Sequence, residues 1–338
     1  MFGWLLVAVA LAAAPTPLAG QPVPPRTTSP FVSETRSVTE ASAAAGVEQF
    51  ALSVDEAQRM TVQVKVGDRG PYAFLVDTGS ERTAISRQLA IELGLVVGAP
   101  VRVHSLLGTQ MTATVNIPRL GVGKQALSVN GAPTFDATHM GAAGILGIDS
   151  LRAQRVVFDF KRGEMQLTPG RQAEVRVEED TIVIRARARG GRLILTKVML
   201  DGVAISAIID TGSQMSIGNP ALLRRLKRAR PVRPDQEAIA LGSGRAVIKS
   251  VTGQTGQVDL AMVRRLDLGG VDLTDFTVAF ADARIFEELG YGNKPAILLG
   301  MDAMRLFDKV SIDFAQKKVR FDLPEGAMAT RVQTAARW

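Results

Sequence analysis

Met60-Thr61-Val62-Gln63-Val64-Lys65-Val66 alternates apolar and polar side chains with a period of two. That alternation predicts a strand with one face in a core and the other toward solvent. A Gly67-Asp68-Arg69-Gly70-Pro71 turn follows, so the strand opens a hairpin into Phe74-Leu75-Val76. This second run carries no polar interruption and reads as a strand buried on both faces. The arrangement returns later. Residues 182–187 and 193–200 flank an Arg189-Gly190-Gly191 turn, and Ala207-Ile208-Ile209 is a second uninterrupted run. Further strands are predicted near 101–103, 111–117, 127–130, 246–251, 257–262, 276–280 and 319–323. Helical spacing is rare. It is confined to residues 86–94 (Ser86 as cap, Gly94 as stop), a turn over 284–289, and a basic segment that opens at Asn219-Pro220 and stops at Pro231. The pattern predicts an all-β protein with short helices.

Both uninterrupted runs end in the same four residues, Asp77-Thr78-Gly79-Ser80 and Asp210-Thr211-Gly212-Ser213. A buried strand that ends on a carboxylate needs partners for it. The next residues can supply them: Gly79 and Gly212 permit a tight turn with open N–H groups, Ser80 and Ser213 offer a hydroxyl to the carboxylate, and the stiff Thr78 and Thr211 can lock each loop against its twin. A second repeated element follows each motif. Ala143-Gly144-Ile145-Leu146-Gly147 and Ala296-Ile297-Leu298-Leu299-Gly300 each lead to an acidic residue, Asp149 or Asp302, and a short helical stretch. Each is then followed by a strand ending in Asp-Phe, at Asp159-Phe160 and Asp313-Phe314. The same order of parts twice marks an internal duplication. The distance from motif glycine to closing glycine is 68 residues in the first half (79 to 147) and 88 in the second (212 to 300), so the second half has the longer middle section. Asp149 and Asp302 read as helix caps, with Arg152 and Arg305 placed for local ion pairs.

Two such loops set symmetrically would bring Asp77 and Asp210 within hydrogen-bond distance, where like charges cannot both ionise and one proton is shared. The ionised member can take a proton from a water while the protonated member polarises a carbonyl. This chemistry hydrolyses an amide with no metal and no cofactor. With these residues the chain resembles the pepsin-like and retropepsin-like aspartic proteases over roughly residues 55 to 325. It is most similar to bacterial retropepsin-like proteins, whose first half reads as Phe74-Leu75-Val76-Asp77-Thr78-Gly79-Ser80-Glu81-Arg82-Thr83 does here. The resemblance implies a bilobal acid-protease fold, two retropepsin-like β-barrel lobes forming an intrachain pseudo-dimer. It implies Asp77 and Asp210 as the catalytic pair, a polypeptide substrate in the cleft between lobes, and a β-hairpin flap over that cleft. The flap candidates are Leu107 and Gly108 in the first lobe and Gly242, Ser243 and Gly244 in the second. The only tyrosines, Tyr72 and Tyr291, fall outside both segments, so two flaps without a flap tyrosine look more like a fused retropepsin dimer than like pepsin.

The expected organisation is a signal peptide or N-terminal anchor at 1–20, a Pro/Ser/Thr/Ala-rich linker at 21–50, lobe one at 51–172, lobe two at 173–325 and a tail at 326–338. The apolar run over 4–14 is short for a membrane span and ends in Ala-x-Ala patterns at Ala10/Ala12 and Ala12/Ala14, which favours export to the periplasm or beyond; an uncleaved segment would tether the chain to a membrane. The 338 residues are 46% hydrophobic and 22% charged, ordinary for a chain with a real core. There are no cysteines, which excludes disulfides, zinc–thiolate sites and cysteine nucleophiles. The two histidines, His104 and His139, give poor support to a Ser-His-Asp site or a metal site; they read as a strand-surface and a loop residue. The net charge of +7 gathers in the basic run of 222–233, read as a solvated helix face. With 5% aromatics and no accompanying motif, nucleic-acid binding is not expected. One chain supplies both lobes, so a monomer is expected. Two other readings use the same loops. Phosphate-gripping Asp-x-Gly turns of actin-like kinases need long crossover helices, which the segments after each motif lack. A non-catalytic peptide-binding or assembly module on the same fold is the alternative to an endopeptidase.

Overall fold

The computed structural model of the chain describes residues 59–123, 125–168, 181–229 and 244–324 with their side chains, and strand backbone alone at 4–5, 9–11, 48–51, 53–54, 169 and 331–333. The expectations for the rest of 1–58, for the lobe boundary at 172–173, for Gly242 and Ser243, and for the 326–338 tail lie outside the fully described residues.

The alternating strand β1 (Met60–Val66) and the apolar β2 (Arg69–Val76) form the expected hairpin, with Val62, Val64, Phe74, Leu75 and Val76 wholly buried. Strand β3 (Ala84–Ser86) runs into helix α1 (Arg87–Glu92), whose first turn is capped by Ser86 Oγ accepting from Leu89 N at 3.1 Å. Two long strands, β4 (Val97–Ser105) and β5 (Gly108–Val122), make an antiparallel hairpin. Strand β6 (Gln125–Phe135), the single turn α2 (Ala137–Met140), strand β7 (Gly144–Leu146) and the turn α3 (Ile148–Leu151) complete the lobe. The order is β4-β5-β6-β3-β7-β2-β1, and a further β5–β1 pairing (Lys65 with Gly121, Val66 with Leu120) closes it into a barrel.

The second half repeats this order. Strands β8 (Gln154–Asp159), β9 (Glu164–Pro169) and β10 (Thr181–Arg189) intervene. Then come β11 (Arg192–Leu200), β12 (Val203–Ile209), β13 (Ile217–Gly218), helix α4 (Pro220–Ala229), β14 (Gly244–Ser250), β15 (Thr255–Asp267), β16 (Asp272–Phe280), α5 (Arg284–Glu288), β17 (Ala296–Leu299) and α6 (Met301–Met304). The order β14-β15-β16-β13-β17-β12-β11 matches lobe one strand for strand, and β15 again closes onto β11 through Met199–Asp267 and Leu200–Leu266. The chain is mostly strand, in two sheets that match two lobes, as the hydrophobic pattern and the repeated motif predict.

A shared sheet joins the lobes. Strand β8, at the end of lobe one, pairs with β18 (Lys309–Asp313), which pairs with β19 (Lys318–Asp322) and so with β10. Arg155 on β8 faces Asp313 on β18 across this sheet, Nε to Oδ2 3.0 Å, with both side chains about 5% exposed. Breaking one partner of such a pair would strand a buried charge, so the pair fixes the register between lobes. The Asp-Phe strands repeated in the sequence are therefore partners of one another. Two expectations need correction. His104 is buried, not on the strand surface, with Nδ1 2.7 Å from Thr109 Oγ1, and His139 sits in the α2 turn.

Candidate active site

Each Asp-Thr-Gly-Ser loop leaves its buried strand beside the repeated apolar segment. Strand β7 lies parallel to β2, pairing Ile145 with Leu75 and Leu146 with Val76; β17 lies parallel to β12, pairing Leu298 with Ile208 and Leu299 with Ile209. Asp77 N donates to Leu146 O and Asp210 N to Leu299 O, both at 3.0 Å. The glycines that close these segments let the two loops pass. A Cβ on Gly300 would sit 2.6 Å from the Met215 carbonyl carbon, and one on Gly147 2.8 Å from Thr83 N, closer than any side chain allows. Beyond them Ile148 N donates to Ser80 O at 2.8 Å and Met301 N to Ser213 O at 2.9 Å.

The two loops lock together through their threonines. Thr78 N donates to Thr211 Oγ1 (3.0 Å) and Thr211 N to Thr78 Oγ1 (3.1 Å); Thr211 Oγ1 donates onward to Val76 O (2.7 Å) and Thr78 Oγ1 to Ile209 O (3.0 Å). Every hydroxyl thus bridges two backbone groups of the other lobe. The two glycines bring the carboxylates together. A Cβ on Gly79 would fall 2.7 Å from Asp210 Cγ, and one on Gly212 would fall inside the Asp77 carboxyl group. Each aspartate is therefore packed on the opposite loop. Gly212→Ala is expected to abolish the paired geometry and to cost at least the 1–3 kcal/mol of a crowded core substitution, because the obstruction is a buried carboxylate held by backbone. Chemical denaturation of the variant checks this, with Gly121→Ala, whose Cβ would meet nothing nearer than 3.5 Å, as the tolerant comparison.

Asp77 and Asp210 are both fully buried. Asp77 Oδ1 accepts from Gly79 N (2.8 Å) and Ser80 N (3.0 Å), and Asp210 Oδ1 accepts from Gly212 N (3.1 Å). The Oδ2 atom of each is buried and finds no hydrogen-bond partner among the described residues. Burial lifts both carboxyls above the usual carboxylate range, and the charge of Asp77 pushes Asp210 up further. The serines do not donate to the carboxylates as the sequence suggested. Ser80 Oγ donates to Arg82 O and Ser213 Oγ to Met215 O, both at 2.7 Å, so they shape the turns while backbone N–H groups serve the carboxylates.

Asp149 and Asp302 are not helix caps either: the cap positions are Gly147 and Gly300. Their carboxylates reach back to the motif loops. Asp149 Oδ1 accepts from Thr83 N (2.9 Å) and Thr83 Oγ1 (2.7 Å); Asp302 accepts from Ser216 N at Oδ2 and Ser216 Oγ at Oδ1 (both 2.8 Å). Arg305 turns toward Met60 Sδ (3.4 Å). A hydroxyl residue six places after each motif aspartate, Thr83 and Ser216, was the available sequence signal for these braces, and the duplication makes it visible only when both halves are aligned. Burial raises Asp302 to about 6. Its folded-state value lies above that of an unfolded aspartate, so its contribution to stability is full below about pH 4 and is lost as pH rises through about 6. The difference in melting temperature between Asp302→Asn and the parent is expected to grow in favour of the variant from pH 4 to 7. The amide also loses one acceptor, which shifts all pH values equally, so the slope is the readout; a flat difference would contradict the assignment.

The hairpin turns meet. Leu107 and Gly108 lie at the β4–β5 turn. In lobe two Gly244 begins β14, and the hairpin turns at residues 251–254 instead, seven residues further on, so the second flap candidate was misplaced. The glycine-rich stretch drew the expectation there, whereas the turn is built on Val251-Thr252-Gly253-Gln254, with Gly253 at φ 83°. Ser105 Oγ lies 3.3 Å from both Gln254 Oε1 and Thr252 Oγ1, joining the two tips. Beside them are two hollows in matching positions. One of about 300 Å³ is lined by Thr112, Phe135 and His139 with Val251 and Thr252 of the other lobe's hairpin; one of about 430 Å³ by Val258, Phe280 and Arg284 with Leu106 and Leu107.

Residues 62–150 and 196–303 match the family model described as aspartyl protease, one segment in each lobe and together more than half of the chain. No curated protein matches the chain.

Proposed function

We propose that this chain, which belongs to the aspartyl protease family, is an endopeptidase in which Asp77 and Asp210 act together on one water. The observation that carries the reading is the unspent Oδ2 on each of two buried, opposed carboxylates, whose Oδ1 atoms are already engaged by their own loops. With the Asp77 charge opposing ionisation of Asp210, one proton serves both groups. The ionised carboxylate takes a proton from the water as its oxygen attacks the peptide carbonyl carbon. The protonated carboxyl donates to the carbonyl oxygen, giving a neutral tetrahedral intermediate. Proton transfer to the leaving nitrogen then breaks the C–N bond and releases amine and acid.

An extended polypeptide is the substrate class, held by strand addition along the flaps. The free edges of both flap strands already take a strand: residues 4–5 pair in parallel with Val103 and His104 of β4, and residues 9–11 pair antiparallel with Ile248, Lys249 and Ser250 of β14. The two hollows flanking the joined tips are of a size for side chains of such a peptide, and each draws on both lobes, so occupancy and flap closure are coupled.

The test is incubation with an unstructured protein from acid to neutral pH, alongside Asp77→Asn and Asp210→Asn, followed by mass spectrometry. Discrete fragments from the parent that vanish in both variants are the expected result. Equal peptide binding by the parent and both variants, with no fragments from any of them, would transfer the function to a binding module.

A further inference from the structure

Arg192 belongs to lobe two but serves the loop of lobe one. It is the first residue of β11 and its side chain is 1% exposed. Its Nε and Nη2 donate to Gly79 O at 3.1 and 2.7 Å, and Nη1 donates to Glu81 Oε1 at 3.0 Å and to Gly190 O at 3.4 Å. The Gly79 carbonyl is one half of the peptide group whose other half, Ser80 N–H, donates to Asp77 Oδ1 at 3.0 Å. Two charge-assisted bonds on that carbonyl draw electron density across the peptide and make its N–H a stronger donor. The guanidinium charge is thereby delivered to Asp77 through a single peptide plane.

The twin loop is wired differently. Arg59, in the corresponding place before β1, sends Nη2 to Met140 O at 2.6 Å. The residue after Ser213 is Gln214, where lobe one has Glu81 after Ser80. The guanidinium charges of Arg192 and Arg59 act on Asp77, whereas Asp210 feels the charge of Asp77 and of Arg192. Arg192 favours ionisation of both, but only Asp77 also accepts from the N–H that Arg192 polarises.

Resting on the proposed endopeptidase reading, we infer that Arg192 is a positioning residue that decides the polarity of the pair, making Asp77 the ionised base and leaving the shared proton on Asp210. The asymmetry is consistent with the further upward displacement of Asp210 by its neighbour's charge. The same side chain also staples the lobes, so a loss of stability alone would not identify its role, whereas the pH dependence of the pair does.

The experiment uses the full chain with Arg192→Met, Arg192→Lys and Glu81→Gln, reading kcat/KM against pH on a cleaved peptide and, independently of turnover, the titration of 13C-carboxyl-labelled aspartate by NMR. In Arg192→Met the acid limb is expected to move up by about one pH unit, a tenfold loss of rate below the limb, while KM changes little. Arg192→Lys keeps a charge and restores part of the shift; Glu81→Gln keeps both bonds to Gly79 O and leaves the limb in place. In the parent, the Asp77 carboxyl resonance, identified by its loss in Asp77→Asn, is expected to follow the lower of the two coupled titrations and that of Asp210 the upper. An unmoved limb in a less stable Arg192→Met protein would reduce Arg192 to a staple, and a lower titration followed by the Asp210 resonance instead would reverse the polarity and overturn the inference. If Arg192→Met does not fold, the assignment in the parent and the Lys variant still decide the question. Absence of peptide cleavage by the parent would overturn the endopeptidase reading, and the NMR titration would still decide the role of Arg192.

Discussion

Replacing either Asp77 or Asp210 with asparagine is expected to lower kcat by about 10²–10⁴-fold, the usual worth of a general acid or base, while KM for the same peptide stays within a few-fold. On the proposed mechanism the two effects separate, because the flaps and the hollows would hold the peptide while the carboxylates engage the water and the scissile carbonyl. The Asn side chain keeps the Oδ1 acceptor for the backbone N–H groups of Gly79 and Ser80, or of Gly212. It removes the group whose burial is costly when charged. Both variants should therefore fold and be at least as resistant to heat as the parent at neutral pH. Calorimetry together with steady-state kinetics checks both halves. Retained turnover in either variant would remove that residue from the mechanism, and a collapsed melting temperature would show that the carboxylate holds the loop rather than the reaction.

The second large effect is on stability. Thr211→Val keeps the shape of the side chain but leaves Thr78 N and Val76 O without partners in the interior; Thr78→Val does the same to Thr211 N and Ile209 O. Each orphaned buried group costs about 1–3 kcal/mol, so each valine is expected to cost about 2–6 kcal/mol. Serine retains the hydroxyl and should cost far less. Urea denaturation of the four variants measures this. Equal losses for Val and Ser at one position would place the cost in the missing methyl rather than in the bonds. Activity should fall with the valines even where the lobes remain folded, because the same bonds fix the distance between Asp77 and Asp210.

The lobes, their duplication and their β character were legible because they are one-dimensional. A period of two in Met60–Val66, an uninterrupted apolar run before each Asp-Thr-Gly-Ser, and the same order of parts in both halves are properties of adjacent residues. The pairing of Asp77 with Asp210 followed from symmetry, since identical loops in like lobes face each other when the lobes pack as a pseudo-dimer. Partners chosen only when the folded loops pack were not legible. Ser80 was expected to serve the carboxylate, yet its hydroxyl turns to Arg82 O, and the backbone N–H groups of Gly79 and Ser80 serve Asp77 Oδ1 instead. Asp149 was read as a cap from its place before a helical stretch, but its carboxylate closes on Thr83, 66 positions back. The second flap turn was sought in a glycine-rich stretch, although hairpin register, fixed by how far β15 pairs with β14, puts it at residues 251–254.

What the sequence determined by itself is the inventory: two buried strands, each ending on an aspartate, with glycines where loops must pass and threonines stiff enough to lock them. The tertiary structure alone decided how unequal the two halves are. Arg192 reaches Gly79 O from the other lobe while Arg59 goes to Met140 O, and no pattern along the chain separates these two arginines. Arg59 directly precedes β1 and Arg192 opens the matching β11, and the difference arises only when the lobes dock and one guanidinium finds an electron-rich carbonyl within reach.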